Sequence, residues 1–187
     1  LALGTPLAFS LLFELSLFAA VAIILIPFGA NVVASHQIAI NFSGLVFMVP
    51  LSLAMAVTIK VGFEVGNKNL AKAKELCRYS VILGLIIAVA TAAATLIFKT
   101  QIATIYTSDT EVLELAAGLM FLAALFQFSD AIQVISAGAL RGYKDTKSIL
   151  YITFFSYWVV GLSFGLILGL TDWIAPASGP YGFWIGF

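Results

Sequence analysis

Only two carboxylates in this chain lie deep inside long apolar segments. Asp130 sits near the middle of residues 121–140, FLAALFQFSDAIQVISAGAL. That is about the 20 residues a helix needs to cross a hydrocarbon layer of roughly 30 Å. An ionised carboxylate at such depth costs about 2.5–3.5 kcal/mol on insertion scales, so it must face a wet cavity or a partner rather than lipid. Gln127 and Gln133, three residues to either side, share its helical face and can hydrogen-bond to it, while Phe126 and Val134 flank it apolarly. The second acid, Glu14, belongs to the first apolar segment, with Ser10 one turn earlier on the same face and no Lys or Arg in the span to pair with it. Two buried acids without a basic partner are the chemistry of a cation site. The blander alternative for each is a carboxyl hydrogen-bonded between helices.

The elements that must carry these acids are membrane helices. The chain is 62% hydrophobic and only 10% charged, with a mean hydropathy of +1.11, whereas soluble domains carry about a quarter charged residues. The apolar segments are much longer than barrel strands and do not alternate, so the spanning elements are helices. The expected fold class is therefore an all-α integral membrane protein with five complete transmembrane helices and the start of a sixth. The formal net charge of zero argues against a nucleic-acid partner. The single cysteine, Cys77, cannot close an intramolecular disulfide. The chain begins LALGTP without Met and stops at GFWIGF inside an apolar segment, so it is expected to be a fragment, and no cleavable signal peptide is visible.

In order, the first span is expected at 5–26, stopped by Pro27-Phe28-Gly29. A second, 32–65, is longer than a perpendicular crossing needs and contains Pro50. In it Gln37 and Asn41, spaced i, i+4 and continued by Gly44 and Met48, form a polar or small stripe that either lines a cavity or packs against a helix. His36 lies near the end of that segment and receives no role. Gly66 is expected to end this helix and Asn69 to cap the next, whose first turns are amphipathic and lie at the membrane surface. The third span, 79–98, is rich in Ala and Gly. Ser108-Asp-Thr-Glu111 has capping-box spacing, Gly142 is expected to break the fourth span, and Asp145 to cap the fifth, 148–170. Glycines 161, 165 and 169 give that fifth span a ridge for close helix approach. A turn-rich loop at 172–180 precedes the start of the sixth, 181–187.

Eight of the nine Lys and Arg residues fall at the ends after the second and fourth spans, leaving only Lys99 opposite. The positive-inside bias thus places the N-terminus in the cytoplasm. No metal-ligand cluster, nucleophile elbow or glycine-rich phosphate loop is present, and neither the glycine–aspartate contexts of an intramembrane protease nor a channel's filter-like loop can be found. An enzyme is not expected. A site near mid-membrane where cation and substrate compete is what a secondary transporter requires.

The stretches LFELSLFAAVAI, HQIAINFSGLVFMVPLSLAMAVTIKVG, FQFSDAIQVISAGALRGYKDTKSILYITFFSYWVVGL and GFWIGF together resemble the second half of a multidrug and toxic compound extrusion (MATE) transporter of the bacterial NorM-like branch. The resemblance covers essentially all of residues 1–187. It implies the C-terminal six-helix lobe of a twelve-helix protein, with an N-terminal lobe of the same chain as partner, in the inner membrane. It also implies export of cationic or lipophilic drugs in exchange for Na+ or H+, with no cofactor beyond that coupling ion. By motif, Glu14 and Asp130 fall on the acids that bind the coupling cation, and they are the only expected metal ligands, for Na+. Gln37, Asn41, Phe126, Gln127 and Gln133 are expected to line the cavity. At position 126 members with a sodium site often carry Tyr, so the hydroxyl is lost here. Two other readings are a lipid-linked-sugar flippase of related architecture, which would want mid-span Arg or Lys, and a non-transporting membrane scaffold.

Overall fold

The computed structural model describes residues 2–173 and 176–186. The expected loop at 172–180 contains Ile174 and Ala175, and the expected start of the sixth span ends on Phe187; these residues lie outside the described ones. All regular elements among the described residues are helical: α1 (Gly4–Ile24), followed by a 3-10 turn (Ile26–Phe28), α2 (Ala30–Gly66), α3 (Leu70–Tyr106), α4 (Thr110–Gly142), α5 (Thr146–Phe154), a π-helix (Phe155–Gly161), α6 (Leu162–Leu170) and α7 (Pro180–Gly186). Among the described residues five spans are long and apolar enough to cross a membrane, the fifth being α5, the π-helix and α6 taken together. Their outward faces are apolar, as in Leu15, Ile59, Ile97 and Phe155, all well exposed. Lipid is the solvent such faces fit.

The centre of the bundle is the pair α2 and α4, which run parallel. Asn31 donates to the Glu111 carboxylate (2.7 Å), the Ser35 hydroxyl to the Val112 carbonyl (3.0 Å), and Thr58 to the Gly138 carbonyl (2.9 Å), a nearly constant offset along both helices. Small residues permit this approach. A Cβ on Gly138 would lie 2.5 Å from the Ala54 carbonyl oxygen, and one on Gly142 would lie 2.8 Å from the Val61 Cβ. Neither Ala54 nor Val61 has any exposed surface. Gly138→Val in the full-length protein should therefore force the crossing apart and break the Thr58 bond, at about the 1–3 kcal/mol typical of overpacking. Thermal unfolding in detergent should show a clearly lowered midpoint; a wild-type midpoint would contradict this packing.

Antiparallel α3 lies against α4 through Gly84, Ala88, Ala92 and Thr95, all buried. It is one continuous helix from Leu70, so the amphipathic first turns share the axis of the third span. On the other side α1 packs along α5 and the π-helix and scarcely touches α4. α7 lies against α6, where Phe183, fully buried, fills the space left by Gly165 and Gly169, as the glycine ridge led us to expect.

The turns refine several expectations. Asn69 and Asp145 do cap α3 and α5, accepting from the amides of Lys72 and Ser148 (both 3.2 Å). Asp145 also accepts from the Ser148 hydroxyl (2.6 Å), and these two bonds hold its carboxyl below the ordinary carboxylate value. At the start of α4 the cap is Asp109 rather than Ser108, because its carboxylate accepts from the amides of Glu111 and Val112. Gly66 and Gly142 are the last residues of α2 and α4, where the sequence led us to expect the ends. The left-handed positions are taken by Lys68 (φ 59°) and Lys144 (φ 62°). Each is fixed by a matching pair of bonds: Lys68 and Asn69 amides to the carbonyls of Val65 and Glu64, and Lys144 and Asp145 amides to those of Arg141 and Leu140. In the first of these turns the Lys72 ammonium also pairs with Glu64 at 3.2 Å. The fifth span, expected as uninterrupted α-helix, contains the π-helix instead.

Candidate functional site

Glu14 lies midway along α1 and Asp130 nearly two thirds of the way along α4, both half-buried. Their helices barely meet, yet both acids line one cavity of about 370 Å³. Ser10 also faces this space from α1, its hydroxyl donating to the Pro6 carbonyl (2.9 Å), and Phe47 contributes from α2, Gln133 from α4 and Thr153 from α5. Asp130 has a second side as well. A narrow pocket of about 10 Å³, walled by Thr91, Gln127 and Ala131, reaches it from α3, and this volume is about that of one water-sized ligand.

The two flanking glutamines do not turn to Asp130. Gln127 is buried and donates its Nε2 to the Thr95 hydroxyl (3.0 Å), which leaves its Oε1 without a hydrogen-bond partner beside the narrow pocket. Gln133 accepts at Oε1 from the Tyr157 hydroxyl (2.8 Å). Phe126 is half-buried, with its ring edge-on to Trp184 (centroids 6.3 Å, interplanar angle 90°), and it is not part of the wall around the two acids. Gln37 and Asn41 are exposed, as are Gly44 and Met48, so the stripe they form on α2 covers none of the cavities described here.

Sequence inspection missed the basic member of the site. Arg141, in the last turn of α4, reaches the same cavity as Glu14 and Asp130. Its Nε donates to the Ala137 carbonyl (3.3 Å), and among the described residues it forms no ion pair with either acid. The acids are thus not free of basic company, as their spans alone suggested. The spacing of eleven residues from Asp130, three helical turns, was the available signal. Thr153, which lines the same cavity, and Tyr157, which bonds Gln133 from behind it, were also overlooked, because nothing in a lone Thr or Tyr of an apolar span distinguishes such a position from packing. His36, left without a role, is fully buried and accepts at Nδ1 from Trp184 Nε1 (3.2 Å), pinning α2 to α7.

Comparison with known proteins places this geometry in context. The MatE family model matches residues 6–167. The chain is 54% identical over 185 residues to the multidrug resistance protein NorM of Aliivibrio fischeri, covering 99% of this chain and 40% of that protein. It is 53% identical over 186 residues to the multidrug resistance protein MdtK of Photorhabdus laumondii, covering 100% and 41%. The chain therefore spans about two fifths of the length of these relatives. Among solved structures, a multidrug resistance MATE family transporter of the MOP superfamily in an outward-facing conformation superposes with a TM-score of 0.88 at 22% identity, covering 98% of this chain and 40% of that one. A MOP superfamily transporter from Pyrococcus furiosus, described as having a binding pocket of reversed polarity, gives 0.82 at 16%, covering 99% and 41%.

Proposed function

Since the chain belongs to the MatE family, we propose that it forms the C-terminal lobe of a cation-coupled multidrug efflux antiporter, exporting cationic or lipophilic drugs in exchange for Na+ or H+ across the bacterial inner membrane. The observation that carries this reading is the single cavity bounded by Glu14 and Asp130 from two different spans. In this reading the two acids bind the coupling cation. An ion in the cavity neutralises them; when it leaves, the uncompensated charge favours a conformation able to recruit a cationic drug. Coupling is thus a difference in ion affinity between two states of the transporter. With its loops oriented by the positive-inside bias, the basic end faces the cytoplasm.

Sodium is the preferred ion. A hard monovalent cation takes oxygen ligands, and besides the carboxylates the wall carries the hydroxyls of Ser10 and Thr153 and the amide of Gln133. One arginine against two carboxylates leaves the cavity negative when both acids are ionised, which favours a cation over the anionic headgroup of a lipid-linked sugar.

The test is drug efflux by the full-length protein in sealed vesicles, with a sodium gradient and a pH gradient imposed separately. Sodium alone should drive efflux. Drug movement driven by pH and indifferent to sodium would overturn the sodium assignment, and movement driven by neither would overturn the antiporter reading. Phe126→Tyr supplies a second arm. Because that ring faces Trp184 rather than the acids, the added hydroxyl should leave the half-saturating sodium concentration unchanged; tighter sodium dependence would put position 126 at the ion.

A further inference from the structure

The helix that carries Glu14 is held at its distance from the helix that carries Asp130 by a third element. α1 packs along α5 and the π-helix, not along α4. Two adjacent residues of the π-helix make the links. Trp158 donates its indole Nε1 to the carbonyl of Phe13 (3.0 Å), the residue before Glu14. Tyr157 donates its hydroxyl to Gln133 Oε1 (2.8 Å), three residues beyond Asp130. The Tyr157 ring is buried and meets Phe18, one turn past Glu14, at 6.4 Å between centroids. One side chain therefore touches both acid-bearing helices.

The local backbone is what allows this. A π-helix bonds i to i+5, so its turn is wider than that of the flanking α-helix, and such turns recur at functional sites in otherwise regular helices. In an unbroken α-helix, neighbouring side chains leave the axis in directions about 100° apart. The wider turn brings Tyr157 and Trp158 closer to a common side, where one reaches α4 and the other α1. Thr153, one turn before Tyr157, lines the acid cavity itself.

We propose that the π-helix at Phe155–Gly161 sets the spacing of Glu14 and Asp130, and that Tyr157 is a positioning residue tuning the affinity of their site for the coupling cation. This inference rests on the antiporter reading given above. It assigns to Tyr157 no contact with ion or drug.

Tyr157→Phe keeps the ring and removes the bond to Gln133. In proteoliposomes of the full-length transporter, the half-saturating concentration of the driving ion, sodium or protons as the gradient experiment identifies it, should rise about five- to tenfold, the range of one lost buried hydrogen bond. The KM for ethidium, used as the drug, should stay unchanged at equal protein in the membrane. In a Gln133→Leu background the same substitution should add nothing, because the bond is already gone. An unchanged half-saturating concentration, or effects of the two substitutions that add in full, would overturn the proposal. Should Tyr157→Phe accumulate poorly, Trp158→Phe tests the other link by the same readout. The two levels separate cleanly. Coupled efflux that survives Asp130→Asn would remove the antiporter reading itself, whereas its loss there alongside a normal ion response in Tyr157→Phe would remove this inference alone.

Discussion

Asp130→Asn is expected to leave the full-length protein in the membrane and to reduce drug resistance to that of cells without the transporter. Insertion should survive because a neutral amide is less costly in hydrocarbon than a carboxylate, and because no hydrogen bond that anchors α4 is made by Asp130: the ties to α2 come from Thr58 and Ser35. Function should fail because the amide keeps the shape and removes the charge. Asp130 is also the one residue of α4 that borders both the acid cavity and the narrow pocket beside Gln127, so nothing else on that helix can replace it there. Resistance to a cationic drug, read against the amount of protein in the membrane, is the measurement. Normal resistance at wild-type abundance would sink the role given to this acid.

Glu14→Gln should have a similar effect for a related reason. With both acids ionised and Arg141 charged, the cavity wall carries one excess negative charge; losing Glu14 brings it to zero, and a cation then gains little by entering. Efflux at a fixed ion gradient should fall more than about tenfold, the change that 1.4 kcal/mol of lost ion affinity produces. Glu14→Asp, which shortens the side chain but keeps its charge, should recover part of it. Full coupled efflux by Glu14→Gln would show that this acid only packs between helices. Comparison with Glu14→Asp distinguishes lost charge from lost shape.

The spans, the depth of the two acids within them and the helix caps at Asn69 and Asp145 were legible because each depends on local chemistry: hydropathy over about 20 residues, a carboxylate where none is cheap, a side chain that meets its own backbone. Long-range facts were not. That α1 and α4 share a cavity while hardly touching depends on α5, and no pattern within either helix records it. Gln127 and Gln133 were placed on the correct face of α4, yet their partners, Thr95 and Tyr157, lie 32 and 24 residues away. α2 and α4 do end at Gly66 and Gly142, but position 142 needs its glycine for contact with α2, and the left-handed residues are lysines two places further on. The π-helix was hidden because FSYWVVG has the composition of an ordinary apolar helix. Arg141 was counted with the loops because it is the last charged residue before one, although its side chain turns back to the acids.

The parallel course of α2 and α4 bears on that arginine. Peptide dipoles in helices running the same way add, so the carbonyl ends of both gather partial negative charge at one face of the bundle, about half an elementary charge each. Arg141 in the last turn of α4, with Lys68 and Lys144 just past the two ends, sits where that charge is greatest. Part of its own charge is spent there, since its Nε is bonded to the Ala137 carbonyl on the cavity wall. Arg141 therefore offsets less of the charge of Glu14 and Asp130 than a tally of side chains gives, and a cation is drawn in even with a guanidinium in the wall.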